Sequence, residues 1–314
     1  MKYHKLLQST WGVCLLACIC CLLWGSAFPC IKIGYALFQI EASDTATQIL
    51  FAGLRFTLAG ILTVLLGSIP GKKLLIPQRG SVKYIFILCM FQTVLQYLFF
   101  YVGLAHTSGV KASIIEGANV FLAILTASLV FRQEALTVKK MTGCIAGFAG
   151  VVIINLYGNG GSLDINMQWN GEGFILLSTV AYAISSVLLK KYSQKENPVL
   201  LSGYQFTAGG IIMIISGLVA GGRIRYVTLA GVGMLIYLAL VSAVAYSLWG
   251  ILLKYNPVSR VTIFGFSNPV FGVLLSAWLL KEGGQAFSVG TVIALVLVCV
   301  GIYIVNHEKN VGKE

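Results

Sequence analysis

Leu54-Arg55-Phe56-Thr57-Leu58-Ala59-Gly60 returns 150 positions later as Tyr204-Gln205-Phe206-Thr207-Ala208-Gly209-Gly210. The echo continues outward. Gly150-Val151-Val152-Ile153-Ile154-Asn155 reappears as Gly301-Ile302-Tyr303-Ile304-Val305-Asn306, and Glu134 followed by Gly143 is answered by Glu282 followed by Gly290. These matches align a first half, 11–157, with a second, 173–306. Within them lie apolar stretches at 11–36, 48–68, 84–103, 112–131, 141–157, 173–190, 200–220, 229–253, 262–280 and 287–306. Most have the ~17–25 residues a helix needs to cross about 30 Å of hydrocarbon. Five spans per half is an odd number, so the second half must enter the bilayer from the opposite side. The expected fold is an all-α membrane protein, ten transmembrane helices in two inverted five-helix repeats around a central cavity.

Composition agrees. Hydrophobic residues make up 58% of the 314 positions and charged residues 10%, and mean hydropathy is +0.88, whereas a soluble domain carries roughly 25% charge. The net charge of +12 would suggest nucleic acid in a soluble chain; here it reads as topology. Sixteen basic residues fall on the amino-terminal side of the alternating loops: Lys2, Lys5, Lys72, Lys73, Arg79, Lys83, Arg132, Lys139, Lys140, Lys190, Lys191, Lys195, Lys254, Arg260, Lys309 and Lys313. Four fall on the other: Lys111, Arg223, Arg225 and Lys281. The positive-inside rule then puts both termini in the cytoplasm and the chain in the cell membrane. The run after Lys5 is too long for a signal-peptide core and reads as an uncleaved span. All eight cysteines lie in spans, and Cys18 and Cys21, though spaced as CxxC, have no His or carboxylate beside them, so no metal site is expected.

Charged side chains within spans are costly and mark candidate sites. There are three: Lys32, Arg55 and Glu116, at similar depth in the outer half. Lys32 has a bland reading in snorkelling, and Arg55 in a structural ion pair. Glu116, short and flanked by Ile115 and Gly117, reads as a coupling-proton carrier or as partner to Lys32 or Arg55. If the three converge, the surplus positive charge suits an anionic group on a solute. Aromatic and amide residues form a second set. Trp24, Phe28 and Lys32 share one stripe of span 1, echoed by Tyr182, Ser186 and Lys190 on span 6. Tyr97 and Tyr101 share a face of span 3, Tyr246 and Trp249 stand on span 8, and Asn119 and Asn268 match between spans 4 and 9, with Pro269 able to free a backbone carbonyl. The substrate-binding candidates are thus Trp24, Phe28, Lys32, Arg55, Tyr97, Tyr101, Glu116, Asn119, Tyr182, Tyr246, Trp249 and Asn268.

In this order the motifs resemble the EamA family of the drug/metabolite transporter superfamily: Trp24-Gly25 with Lys32, Leu54-Arg55-Phe56, and Glu134-Ala135-Leu136-Thr137 leading to Gly143. The resemblance implies a ten-helix bundle around a cavity that moves amino acids, related metabolites, sugars or drugs, often outward. Two features depart from the family pattern: Asn119-Val120-Phe121 stands where proline is common, and Glu116 is additional. The expected function is secondary active transport of a small organic metabolite, an amino acid or related carboxylate, by alternating access, by a monomer or homodimer, without cofactor and with a proton as coupling ion. A cationic or drug-like solute held by an aromatic cage and Glu116 is the alternative. An intramembrane enzyme lacks its chemistry here: no span holds an Asp, HExxH is absent, and His4, His106 and His307 sit at span ends. A sensor lacks loops long enough for a partner domain, a channel lacks a legible filter, and no nucleotide-binding motif is present.

Overall fold

The computed structural model describes residues 6–41, 43–104, 106–107, 109–157, 168–279 and 289–307, and among these there is no strand. In chain order the helices are α1 (Thr10–Leu37), α2 (Thr45–Ser68), α3 (Arg79–Leu104), α4 (Gly109–Leu125), α5 (Val138–Tyr157), α6 (Trp169–Ser193), α7 (Pro198–Val219), α8 (Leu229–Tyr255), α9 (Ser267–Leu279) and α10 (Val289–Asn306). Polar side chains start several of them by accepting an orphan backbone N–H. Ser9 Oγ accepts from Gly12 at 3.0 Å, Asp44 Oδ1 from Thr47 at 2.9 Å and Thr228 Oγ1 from Gly231 at 3.0 Å. Asn197 caps α7 just before Pro198, whose missing N–H costs nothing at a first helical position. Six helices, α1, α2, α3, α6, α7 and α8, are long and apolar enough to cross a membrane. Large apolar side chains such as Trp11, Leu15, Val219, Leu229 and Tyr303 are exposed around the bundle, as lipid contact requires and water would penalise.

The regular spans expected from hydropathy are locally rewound. The stretch 262–280 is not one helix: a helical turn Val258–Thr262 and a 3-10 turn Ile263–Phe266 precede α9. Pro269 therefore lies in the first turn of α9, where its missing N–H breaks no hydrogen bond. Three π-helical turns, Cys89–Leu95, Thr126–Val130 and Trp169–Gly173, widen α3, the end of α4 and the start of α6. Glu282 and the 158–167 segment lie outside the described residues, as does the side chain of Phe28.

Two glycine crossings join the halves, and each is reciprocal. On α2 and α7, a Cβ at Gly60 would stand 2.3 Å from Thr207 Oγ1 and 2.5 Å from the Gly203 carbonyl; one at Gly210 would stand 2.4 Å from Thr57 Oγ1 and 2.8 Å from the Gly53 carbonyl. Each contact is the other with every residue number shifted by 150. On α5 and α10, a Cβ at Gly301 would stand 2.5 Å from the Gly143 carbonyl and one at Gly150 would stand 2.8 Å from the Ala294 carbonyl, the same relation at a shift of 151. Only hydrogen at these positions allows backbones so close. Around them α1 lies against α8 and α9, while α6 lies against α3 and α4.

Candidate functional site

Where α2, α3, α7 and α8 meet, four rings pair across the centre. Phe56 and Phe206 stack at 5.3 Å between centroids. The Tyr97 and Tyr246 hydroxyls hydrogen-bond at 2.9 Å. Phe56 tilts against Tyr97 at 4.4 Å and Phe206 meets Tyr246 edge-on at 4.7 Å. Trp24 from α1 caps this group, 5.0 Å from Tyr246 and 4.9 Å from Trp249. Tyr101 and Tyr182 pack into the same cluster. Offset and edge-on arrangements like these add to the burial of each ring.

Arg55 enters this aromatic layer from α2. It is 4% exposed, its guanidinium carbon lies 4.7 Å from the centroid of Phe56, and Nη2 donates to Ser242 Oγ on α8 at 3.2 Å. Its Nε is buried with no hydrogen-bond partner, and among the described residues it has no carboxylate partner. A buried cation with one neutral partner is an expensive arrangement, since the effective desolvation penalty is several kcal/mol per ion. The hydroxyls of Tyr35, Tyr97, Tyr101 and Tyr246 all lie within range of its charge. Glu116 on α4 is half-buried and within electrostatic range of Tyr101 and Tyr246. Both charges thus act on Tyr101 and Tyr246.

The equivalent place in the other half is built differently. Gln205, the counterpart of Arg55, is fully buried. Its Oε1 accepts from Thr93 Oγ1 at 2.6 Å and its Nε2 donates to Gln92 Oε1 at 3.2 Å. Consecutive residues of a regular helix point 100° apart, and the π turn Cys89–Leu95 is where Gln92 and Thr93 both reach one partner.

The structure gathers Trp24, Arg55, Tyr97, Tyr101, Tyr182, Tyr246 and Trp249, with Glu116 close by. It does not bring Lys32 to them; that side chain is exposed on α1. Lys190, the stripe counterpart of Lys32, is held at the far end of α6, where its ammonium donates to the carbonyls of Leu253 at 3.2 Å and of Asn256. It thereby caps the carboxyl end of α8. At that end Glu134 accepts from Lys140 Nζ at 3.0 Å and from the Ser259 backbone at 2.9 Å and hydroxyl at 2.5 Å. Asn119 Oδ1 borders Gly265 in the turn before α9, and Asn268 keeps its Oδ1 buried without a partner.

Tyr35, Ser242 and Phe206 were not among the expected site residues. Tyr35 continues the Trp24–Phe28 stripe of α1 by two more turns, and that periodicity was a usable signal. Its hydroxyl is buried without a partner of good geometry. Ser242 carries no such signal, because a lone serine in an apolar span looks like packing material.

Comparison with known proteins agrees with this architecture. An "Uncharacterized transporter" of Archaeoglobus fulgidus is 28% identical over 91% of this chain and 95% of its own. The "Uncharacterized inner membrane transporter YedA" of Escherichia coli K12 is 27% identical over 90% of this chain and 89% of its own. A crystal structure of another protein superposes with a TM-score of 0.76 over 94% of this chain and 96% of that one, at 17% identity, a likeness of fold alone. The sequence profile of the EamA-like transporter family matches residues 10–156 and 169–307. With both halves matched, the chain is a multi-pass membrane protein and belongs to the EamA-like transporter family.

Proposed function

We propose that this protein is a secondary active transporter that carries a small organic solute bearing a carboxylate, an amino acid or a close relative, and that Arg55 receives the carboxylate. The observation that carries this reading is the unpartnered Nε of a buried guanidinium that lies against the Phe56 ring of the aromatic layer. A planar fork short of acceptors suits a carboxylate, which accepts from two nitrogens at once. Trp24, Tyr97, Tyr101, Tyr182, Tyr246 and Trp249 supply surface for the remainder of the solute.

The transport cycle fits ten spans in two inverted repeats, 11–157 and 173–306. Supporting this are the reciprocal glycine crossings, the hydroxyl pair between Tyr97 and Tyr246, 149 positions apart, and the pairing of α1 with α8 and α9 against that of α6 with α3 and α4. Inverted repeats exchange their conformations to open a midplane site to either side. The basic residues favour cytoplasmic termini in the cell membrane. Glu116, beside the same tyrosines, is the candidate carrier of a coupling proton.

The test begins with an untargeted metabolite comparison of cells with and without the protein, followed by uptake of the changed compound into proteoliposomes. The expected compound carries a carboxylate, and Arg55→Lys lowers its uptake at least tenfold by removing the fork while keeping the charge. A cationic solute indifferent to Arg55→Ala would overturn the reading and favour an aromatic cage with Glu116.

A further inference from the structure

Arg55 and Gln205 stand 150 positions apart, as do Phe56 and Phe206, while Thr93 and Ser242 stand 149 apart, as do Tyr97 and Tyr246. The hydrogen bond from Arg55 to Ser242 at 3.2 Å and the one between Gln205 and Thr93 at 2.6 Å are therefore the same interaction in the two halves, a hydroxyl on α8 or α3 meeting a long polar side chain on α2 or α7. Beyond that shared bond the halves diverge. Gln205 finds a second partner in Gln92, and the π turn Cys89–Leu95 is the backbone feature that carries both partners. α8 runs as an unbroken α-helix from Leu229 to Tyr255, so the residue beside Ser242 does not turn toward the arginine: Val241 is buried in a separate apolar cluster with Phe51 and Leu238. One side is neutral and closed; the other is cationic and one acceptor short.

From this we infer that the solute site is one-sided: Ser242 is the residue that positions the Arg55 guanidinium, holding Nη2 so that Nε is left for the solute, and the trio Gln205, Thr93 and Gln92 is the closed counterpart, which takes no solute. The inference rests on the carboxylate reading above and adds where the carboxylate binds and what aims the arginine. Ser242 acts through Arg55 and not by contact with the solute. Its role depends on a hydroxyl at that position, and threonine, the residue the other half uses, retains one.

Purified protein in detergent, with benzoate as the carboxylate probe and Trp24 and Trp249 as the fluorescent reporters, tests this. Ser242→Ala is expected to weaken benzoate binding about tenfold, the worth of roughly 1.4 kcal/mol of positioning, while Ser242→Thr stays within about threefold of the parent. Gln205→Met is expected to lower the melting temperature and leave benzoate affinity unchanged. A ligand-free pair completes the test: Ser242→Asp supplies Arg55 with a counter-charge and is expected to melt several degrees above the near-isosteric Ser242→Asn. Equal affinities for Ser242→Ala and the parent, or weakened binding in Gln205→Met, would overturn the one-sided site. Failure of the parent to bind benzoate would count against the carboxylate reading itself. Equal melting of the Asp and Asn variants would then show that Ser242 does not face an unsatisfied charge.

Discussion

The glycine crossing of α2 with α7 and the polar layer beside it lie within two helical turns of each other yet keep to the 150-residue sequence echo to different degrees. At the crossing the two halves are interchangeable: Gly60 and Thr207 mirror Gly210 and Thr57 contact for contact. In the polar layer they are not. Arg55 is matched by Gln205, and Glu116, at the shift of 149 that pairs Asn119 with Asn268, is matched by Gly265. Both charges of the site belong to the first half. Packing that every conformation must keep holds the two halves alike, because a methyl group at either crossing glycine meets backbone atoms that cannot move aside. Chemistry that only one solute needs has no such reason to be duplicated, and a second buried cation would carry its own desolvation cost.

The comparison can be broken most sharply through its charges. Glu116→Gln is expected to abolish solute accumulation driven by a pH gradient while leaving exchange between compartments at equal pH largely intact, measured in proteoliposomes; accumulation at the parent rate would reduce Glu116 to a structural group. Next in size is the symmetric part. Gly60→Ala and Gly210→Ala should each destabilise by about 1–3 kcal/mol and by similar amounts, read as melting temperature in detergent. A large effect in one and none in the other would show that the halves do not share the crossing. Gln205→Met strands the polar groups of Gln92 and Thr93 and should cost about 1–3 kcal/mol. The smallest contrast is between the two stripe lysines: Lys190→Met removes the cap on α8 and should cost about 1 kcal/mol, whereas exposed Lys32→Met should be within about 0.5 kcal/mol of the parent.

Much of this arrangement was legible in the sequence. Apolar length located the helices, and the heptapeptide at 54–60 with its echo marked the two helices of the central crossing, α2 and α7. Trp24, Arg55, Tyr97 and Tyr246 stood out because charge and aromatic spacing in an apolar span are unusual. Other features were hidden for physical reasons. A π turn changes helical phase without changing hydropathy, so the widening at Cys89–Leu95 that lets Gln92 and Thr93 converge leaves no compositional trace. The break at Ile263–Phe266 falls on residues that are apolar apart from Gly265, and only Ser267-Asn268-Pro269 behind it marks the position. Lys32 and Lys190 occupy equivalent stripe positions and read alike, but which of them turns inward depends on whether free helix-end carbonyls are nearby, a tertiary fact. Ser242 became visible only as the partner of Arg55.

On the proposed reading Arg55 is kept short of partners for the sake of a solute, and Gln205 displays the neutral alternative. The direct measurement is the melting temperature of Arg55→Gln without any added solute, beside its transport activity. The expected variant is more stable, by about 1–3 kcal/mol, because a buried and underpaired cation is replaced by an amide that Ser242 can satisfy, and it no longer transports. A variant that melts below the parent would contradict it, because Arg55 would then be holding the structure together and would not be waiting for an anion.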